Sequence, residues 1–134
     1  MDRLNAWAPR VLSLLRFITA LLFIEHGLMK LISFPAPVPG LPHPLPALAI
    51  FAGILETIGG GLVLVGLFTR PVAFLLSGEM AIAYFMVHTR QGPWPALNGG
   101  EPAILYCWIF LYLVFAGPGS WTLDARFARR SAEP

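Results

Sequence analysis

Residues 46–70 read PALAIFAGILETIGGGLVLVGLFTR, and this stretch decides the fold. Between Pro46 and Phe68 the one ionisable side chain is Glu56. A helix needs roughly 20 apolar residues to cross the hydrocarbon core of a bilayer, so the run suffices for one span. Glu56 falls near its middle, where a carboxylate costs roughly 3 kcal/mol or more unless protonated, paired or wet. Ala52, Gly53, Gly59 and Gly60 lie three or four residues away, the spacing that shares a helix face. The acid therefore sits on a small-residue face suited to close helix packing.

The composition extends this reading to the whole chain. Of 134 residues 57% are hydrophobic and 12% charged, and the mean hydropathy is +0.71. A soluble domain carries about 25% charged residues, so half that share points to a single membrane domain covering residues 1–134. The small excess of bases is scattered over ends and loops, and no recognition motif accompanies it, which excludes a nucleic-acid surface. Cys107 stands alone, so neither an internal disulfide nor a CxxC pair can form. Redox chemistry would need a bound cofactor or a partner. The first apolar run contains Arg16, Glu25, His26 and Lys30 and lacks a small-residue cleavage site, so it reads as a retained span.

Four spans result, at about 11–34, 46–68, 71–88 and 101–116. Residues 1–10 form a polar lead-in with Trp7 as an interface anchor. Pro35, Pro37, Pro39, Pro42 and Pro44 keep the first loop from being regular helix. The turn through Thr69 and Arg70 is very short and makes its two spans antiparallel. A second irregular loop carries Pro93, Trp94, Pro95, Asn98 and Gly99, and residues 120–134 make a basic tail, amphipathic or disordered. Arg3, Arg10, Arg70, Arg126, Arg129 and Arg130 fall on one side, against Arg90 on the other. The positive-inside rule then predicts an all-α, up-down-up-down antiparallel four-helix bundle with both termini cytoplasmic.

The charges inside the spans are the candidate site. Arg16, Thr19, Ala20, Phe23, His26, Gly27 and Lys30 make one polar and small stripe, expected to face the bundle. Glu25 points the other way and has no evident partner. At about 1.5 Å per residue, Lys30 lies about 6 Å below the outer surface, His26 about 12 Å and Glu56 about 15 Å. Depth thus pairs His26 with Glu56, with Glu79 near the same level, and matches Lys30 to Glu101. His88, Asn98 and Glu101 fall near the outer surface. Bland readings stand beside this one: His26 and Glu56 as helix glue, Lys30 snorkelling to headgroups, His88 marking the interface, and Arg70 as an orientation signal and lipid-phosphate contact.

Glu101, Leu105, Trp108 and Tyr112 recur on one face of the fourth span, where a flat ligand such as a quinone would stack. The same stripe is also what packing or an interface belt looks like. No E-x-x-H pair occurs, so a di-iron site is not expected. His26 and His88 differ in depth by about 12 Å, awkward for ligating one haem. No metal site is expected.

Taken in order, His26-Gly27-x-x-Lys30, Glu56-x-x-Gly59-Gly60, Gly66-x-x-Thr69-Arg70, Met80, His88 and Asn98-Gly99-Gly100-Glu101-x-Ala103-x-x-Tyr106 resemble the DoxX family of small four-helix membrane proteins. The resemblance covers nearly the whole chain. It implies a bacterial or archaeal cytoplasmic (inner) membrane protein. The family's namesakes are subunits of a quinol oxidase and a thiosulfate:quinone oxidoreductase, and other members look like anchors of complexes handling thiol and superoxide stress.

Three functions follow as expectations. The first is a quinone-interacting subunit or anchor of a membrane oxidoreductase complex. In it His26 and Glu56 relay protons, and Lys30, Glu79, His88, Asn98, Glu101, Tyr106 and Trp108 bind the ligand. The second is a non-catalytic scaffold holding soluble redox or stress enzymes at the cytoplasmic face. The third is a small-molecule carrier using Glu56 as a proton-coupled site, for which a second copy of the chain would be needed.

Overall fold

Gly66 ends the central apolar run because its backbone takes the left-handed conformation, φ +73°. The Gly66 and Leu67 amides donate back to the Val63 and Leu62 carbonyls at 3.1 and 2.9 Å, closing the helix end. In the computed structural model, which describes residues 2–130, that run is helix α2 (Ala47–Val65). It starts directly after Pro46, whose extended backbone ends the proline-rich loop. Before it stands α1 (Asp2–Ile32); after it come α3 (Thr69–Ala83), the single-turn α4 (Pro95–Asn98), α5 (Glu101–Ala116) and α6 (Leu123–Arg130). Among the described residues there is no strand.

Helix α3 does not stop at Ala83. A π-helical turn, Tyr84–His88, and a 3-10 turn, Thr89–Gln91, carry it on, so Thr69–Gln91 is one apolar rod of 23 residues. With α1 and α2 it makes three helices long and apolar enough to cross a membrane. Helix α5 has 16 residues, about 24 Å at the helical rise, against a core of about 30 Å.

Two stretches are helical beyond the expected spans. The lead-in is helical from Asp2, with Pro9 inside the helix and the Arg10 guanidinium 5.0 Å above the Trp7 ring. The basic tail forms α6 up to Arg130, begun by the Thr122 hydroxyl accepting from the Ala125 amide at 3.0 Å; residues 131–134 lie outside the described part.

Small residues set the helix contacts. A methyl at Gly27 on α1 would stand 2.8 Å from the Gly53 carbonyl of α2, and one at Gly60 2.7 Å from Ile24. Contacts thus descend α1 as they ascend α2, so the two run in opposite directions with backbones closely apposed. On the other side Gly59 meets Leu76 of α3, and the Ser77 hydroxyl donates to the Cys107 carbonyl of α5 at 2.9 Å. Phe23 closes the fourth seam, its ring 5.1 Å from Tyr106 and 4.8 Å from Phe110. Ala20, Phe23, Val63, Ala73, Leu76, Met80, Phe110 and Leu113 form the core. Phe51, Phe74, Phe85 and Phe115 point outward and are more than half exposed, an apolar exterior that suits lipid. The bundle has a turn end, where α2 meets α3, and a loop end, where the irregular loops lie.

Candidate functional site

Lys30 and Glu56 form an ion pair inside the apolar body. The Lys30 ammonium donates to both carboxylate oxygens at 2.5 Å, and Glu56 is 2% exposed. This corrects the depth-based pairing of His26 with Glu56 and of Lys30 with Glu101. The reason is side-chain direction: Cα–Cβ bonds tilt toward a helix's N-terminus. Lys30, near the loop-end terminus of α1, therefore leans inward, while Glu56 on the oppositely directed α2 leans back toward it. Counting backbone depth alone misses both displacements.

Glu79 completes the cluster. Both its carboxyl oxygens are buried and have no hydrogen-bond partner among the described residues. Leu76 of α3 packs on Gly59 of α2, and Glu79 and Glu56 each lie one turn from that contact toward the loop end, so the two acids share a level across the α2–α3 seam. Buried polar groups are nearly always hydrogen-bonded, so this carboxyl is an exception in the interior.

His26 is exposed, and its Nδ1 bonds the Leu22 carbonyl one turn back at 2.9 Å. Its ring meets Tyr106 edge-on at 5.6 Å, so the two form the outer lip of the α1–α5 seam. Glu25 is exposed. The rest of the α1 stripe faces inward as the sequence suggests, with Arg16, Thr19, Ala20 and Phe23 all buried.

The remaining candidates stand elsewhere. Glu101 is exposed at the start of α5, and Trp108 and Tyr112 point outward, 65% and 57% exposed. The aromatic stripe of α5 is therefore on the exterior and not against Lys30 and Glu56. His88 and Asn98 build a loop-end knot. Nδ1 of His88 bonds the Asn98 carbonyl at 3.0 Å, and the Asn98 side chain holds the Gly92 carbonyl and the Gly100 amide, each at 2.8 Å. Gly100 is needed there, since a methyl would stand 2.5 Å from the Tyr84 ring. With its polar groups so used, Asn98 holds the loop. No group of histidine, cysteine and carboxylates able to hold a metal occurs among the described residues.

One functional arrangement was not singled out from the sequence beyond its place on the stripe. Arg16 is 3% exposed and donates to the carbonyls of Val63, Leu64 (2.6 Å), Pro118 (2.8 Å) and Trp121 (2.6 Å). The guanidinium thus caps the C-terminus of α2, where carbonyls lack helical partners and the dipole is negative. Arg70 treats α5 likewise, donating to Val114 at 3.0 Å. The available signal was an arginine on an inward stripe at the level of a helix end.

Such an apolar helical body, with close-packed seams and an ion pair in its interior, defines a small helical membrane protein. The chain belongs to the DoxX family, whose profile matches residues 11–89. It is 41% identical to an uncharacterized protein of Haemophilus influenzae over 97% of this chain and all of that one. It is 28% identical to an uncharacterized membrane protein of Mycobacterium tuberculosis, covering 96% of this chain and 88% of the relative. To the inner membrane protein YphA of Escherichia coli it is 31% identical over 91% of this chain and 94% of that one. No solved structure matches the chain.

Proposed function

We propose that the chain crosses the inner membrane four times with both termini in the cytoplasm, and works as a quinone-interacting subunit or anchor of an oxidoreductase complex. The distribution of bases supports the orientation: Arg3, Arg10, Arg70 and Arg126 flank the turn end, against Arg90 at the loop end. Helix α5 then spans a locally thinned bilayer. The observation that carries the redox reading is the buried Glu79 carboxyl, without a hydrogen-bond partner among the described residues and on the level of Glu56.

A quinone moving laterally in the membrane would meet the α1–α5 seam at His26 and Tyr106. Its reduction takes two electrons and two protons and yields the quinol. In this reading a partner oxidoreductase supplies the electrons. His26 and the phenol of Tyr106 are the donors that reach a quinone oxygen from the lip. Glu79 lies behind them as the proton holder, and Lys30 fixes the position of the Glu56 carboxylate.

The test is binding by the purified protein. Decylubiquinone or a menaquinone analogue should quench the fluorescence of the tryptophans saturably, and lipid extracts of the protein should contain quinone. Tyr106→Phe with His26→Ala should abolish the quench. Absence of both quinone and quench in the native chain refutes the reading. A second reading, a scaffold without catalysis, is favoured by Lys30 and Glu56 satisfying one another fully. In that case Glu79→Gln leaves the activity of the complex untouched, and partners still co-purify.

A further inference from the structure

The turn end carries an open groove of about 820 Å³ between α1, the end of α2 and the segment leading into α6. Its walls are of two kinds. Leu14, Phe17 and Val65 are 51%, 45% and 40% exposed and offer an apolar channel parallel to the helices. Above them stand Arg126 and the exposed Trp121, and Arg16 forms the floor.

The charge on that floor is uncompensated. All four partners of Arg16 are neutral carbonyls, and among the described residues no carboxylate lies in ion-pair range of it. Asp124, the nearest acid in sequence to the groove's rim, is engaged by the Phe68 amide at 2.9 Å. A buried cation with only dipolar partners leaves a positive potential in a low-dielectric wall. Arg126 adds a second positive charge at the rim. The groove is therefore apolar along its length and positive at its head.

From this complementarity we infer that the groove is a binding site for one anionic phospholipid in the leaflet at the turn end. The phosphodiester sits against Arg126 under the field of Arg16, the indole of Trp121 lies at headgroup level, and one acyl chain runs over Leu14, Phe17 and Val65. An acyl chain fits because the lower walls are apolar and open sideways to the bilayer. A zwitterionic lipid brings its own cation and gains little from Arg16. This site stands apart from the quinone reading and shares no residue with it.

The experiment uses the full chain purified in a neutral detergent. Dioleoyl phosphatidylglycerol is added at a series of mole fractions, with dioleoyl phosphatidylcholine as the matched control, and adducts are counted by native mass spectrometry. One phosphatidylglycerol per chain should be retained, in preference to phosphatidylcholine. Arg126→Gln, an exposed position outside the helix contacts described above, should weaken retention about fivefold, the loss of one arginine at an anionic surface. Arg16→Leu is a poor probe because it uncaps α2; Phe17→Asn is the second variant and should lower retention without altering headgroup preference. Equal retention of the two lipids overturns the proposal. So does unchanged retention in Arg126→Gln, or competition by soluble glycerol 3-phosphate at the lipid's own concentration, which would mean that the headgroup alone is recognised.

Discussion

Replacing Lys30 by Met isolates the energetics of the buried pair. The substitution keeps the length of the stem and removes the charge, leaving Glu56, 2% exposed, without the group that holds both its oxygens at 2.5 Å. Breaking a buried pair from one side costs about 3–5 kcal/mol, because one charge remains desolvated. Lys30 is itself 19% exposed, so some water reaches its end of the pair and the lower figure applies, about 3 kcal/mol. That is about two decades in the unfolding equilibrium constant. The assay is equilibrium unfolding by SDS in mixed micelles, followed by tryptophan fluorescence. Lys30→Met with Glu56→Gln should recover most of the loss, since an apolar or neutral replacement of both partners is close to neutral. Glu101→Gln should move stability by less than about 0.5 kcal/mol, as an exposed surface change does. A Lys30→Met loss below about 1 kcal/mol, or a double variant as unstable as the single one, refutes the pairing.

Gly27→Ala should destabilise by about 1–3 kcal/mol, because the new methyl meets the Gly53 carbonyl and Thr57; Gly61→Ala and Gly78→Ala, with nothing near the added methyl, should be neutral or slightly stabilising in the same titration. Arg16→Lys should cost about 2–4 kcal/mol despite keeping the charge, since an ammonium cannot serve carbonyls spread around a planar fork. A wild-type unfolding curve for Arg16→Lys would disprove the cap. Glu79→Gln keeps the volume and removes a buried ionisable group that has no hydrogen-bond partner among the described residues, so it should cost no more than about 1 kcal/mol, while quinone-linked turnover of the assembled complex falls at least about tenfold; parallel turnover of variant and native complexes would show that Glu79 moves no proton.

What was legible in the sequence was the part governed by local composition. The apolar runs are helices, glycine and proline mark the ends of α2 and α5, and the α1 stripe faces inward from Arg16 to Phe23. Counting depth along the helices also placed Glu56 on a level with other ionisable groups. The partner of Glu56 was not legible, because the choice between His26 and Lys30 turns on the tilt of side chains along two opposed helices. His26 instead bonds its own helix at Leu22, an option that depth arithmetic does not contain. Trp108 and Tyr112 illustrate another limit: an amphipathic aromatic stripe looks the same whether it faces a ligand or the lipid. The start of α6 is held by a long-range contact that local composition does not contain, the Gly66 carbonyl accepting from the Asp124 amide at 3.2 Å.

Arg16 also has a consequence in time. Its partners lie 47 and 48 residues ahead at Val63 and Leu64, and 102 and 105 residues ahead at Pro118 and Trp121. While the chain is being made, two of the four carbonyls do not exist until all the long helices have been synthesised. Through that interval the guanidinium has at most two of its four final acceptors, those of Val63 and Leu64. The cap on α2 is closed only by the last loop, and a chain cut short before Pro118 lacks half of it.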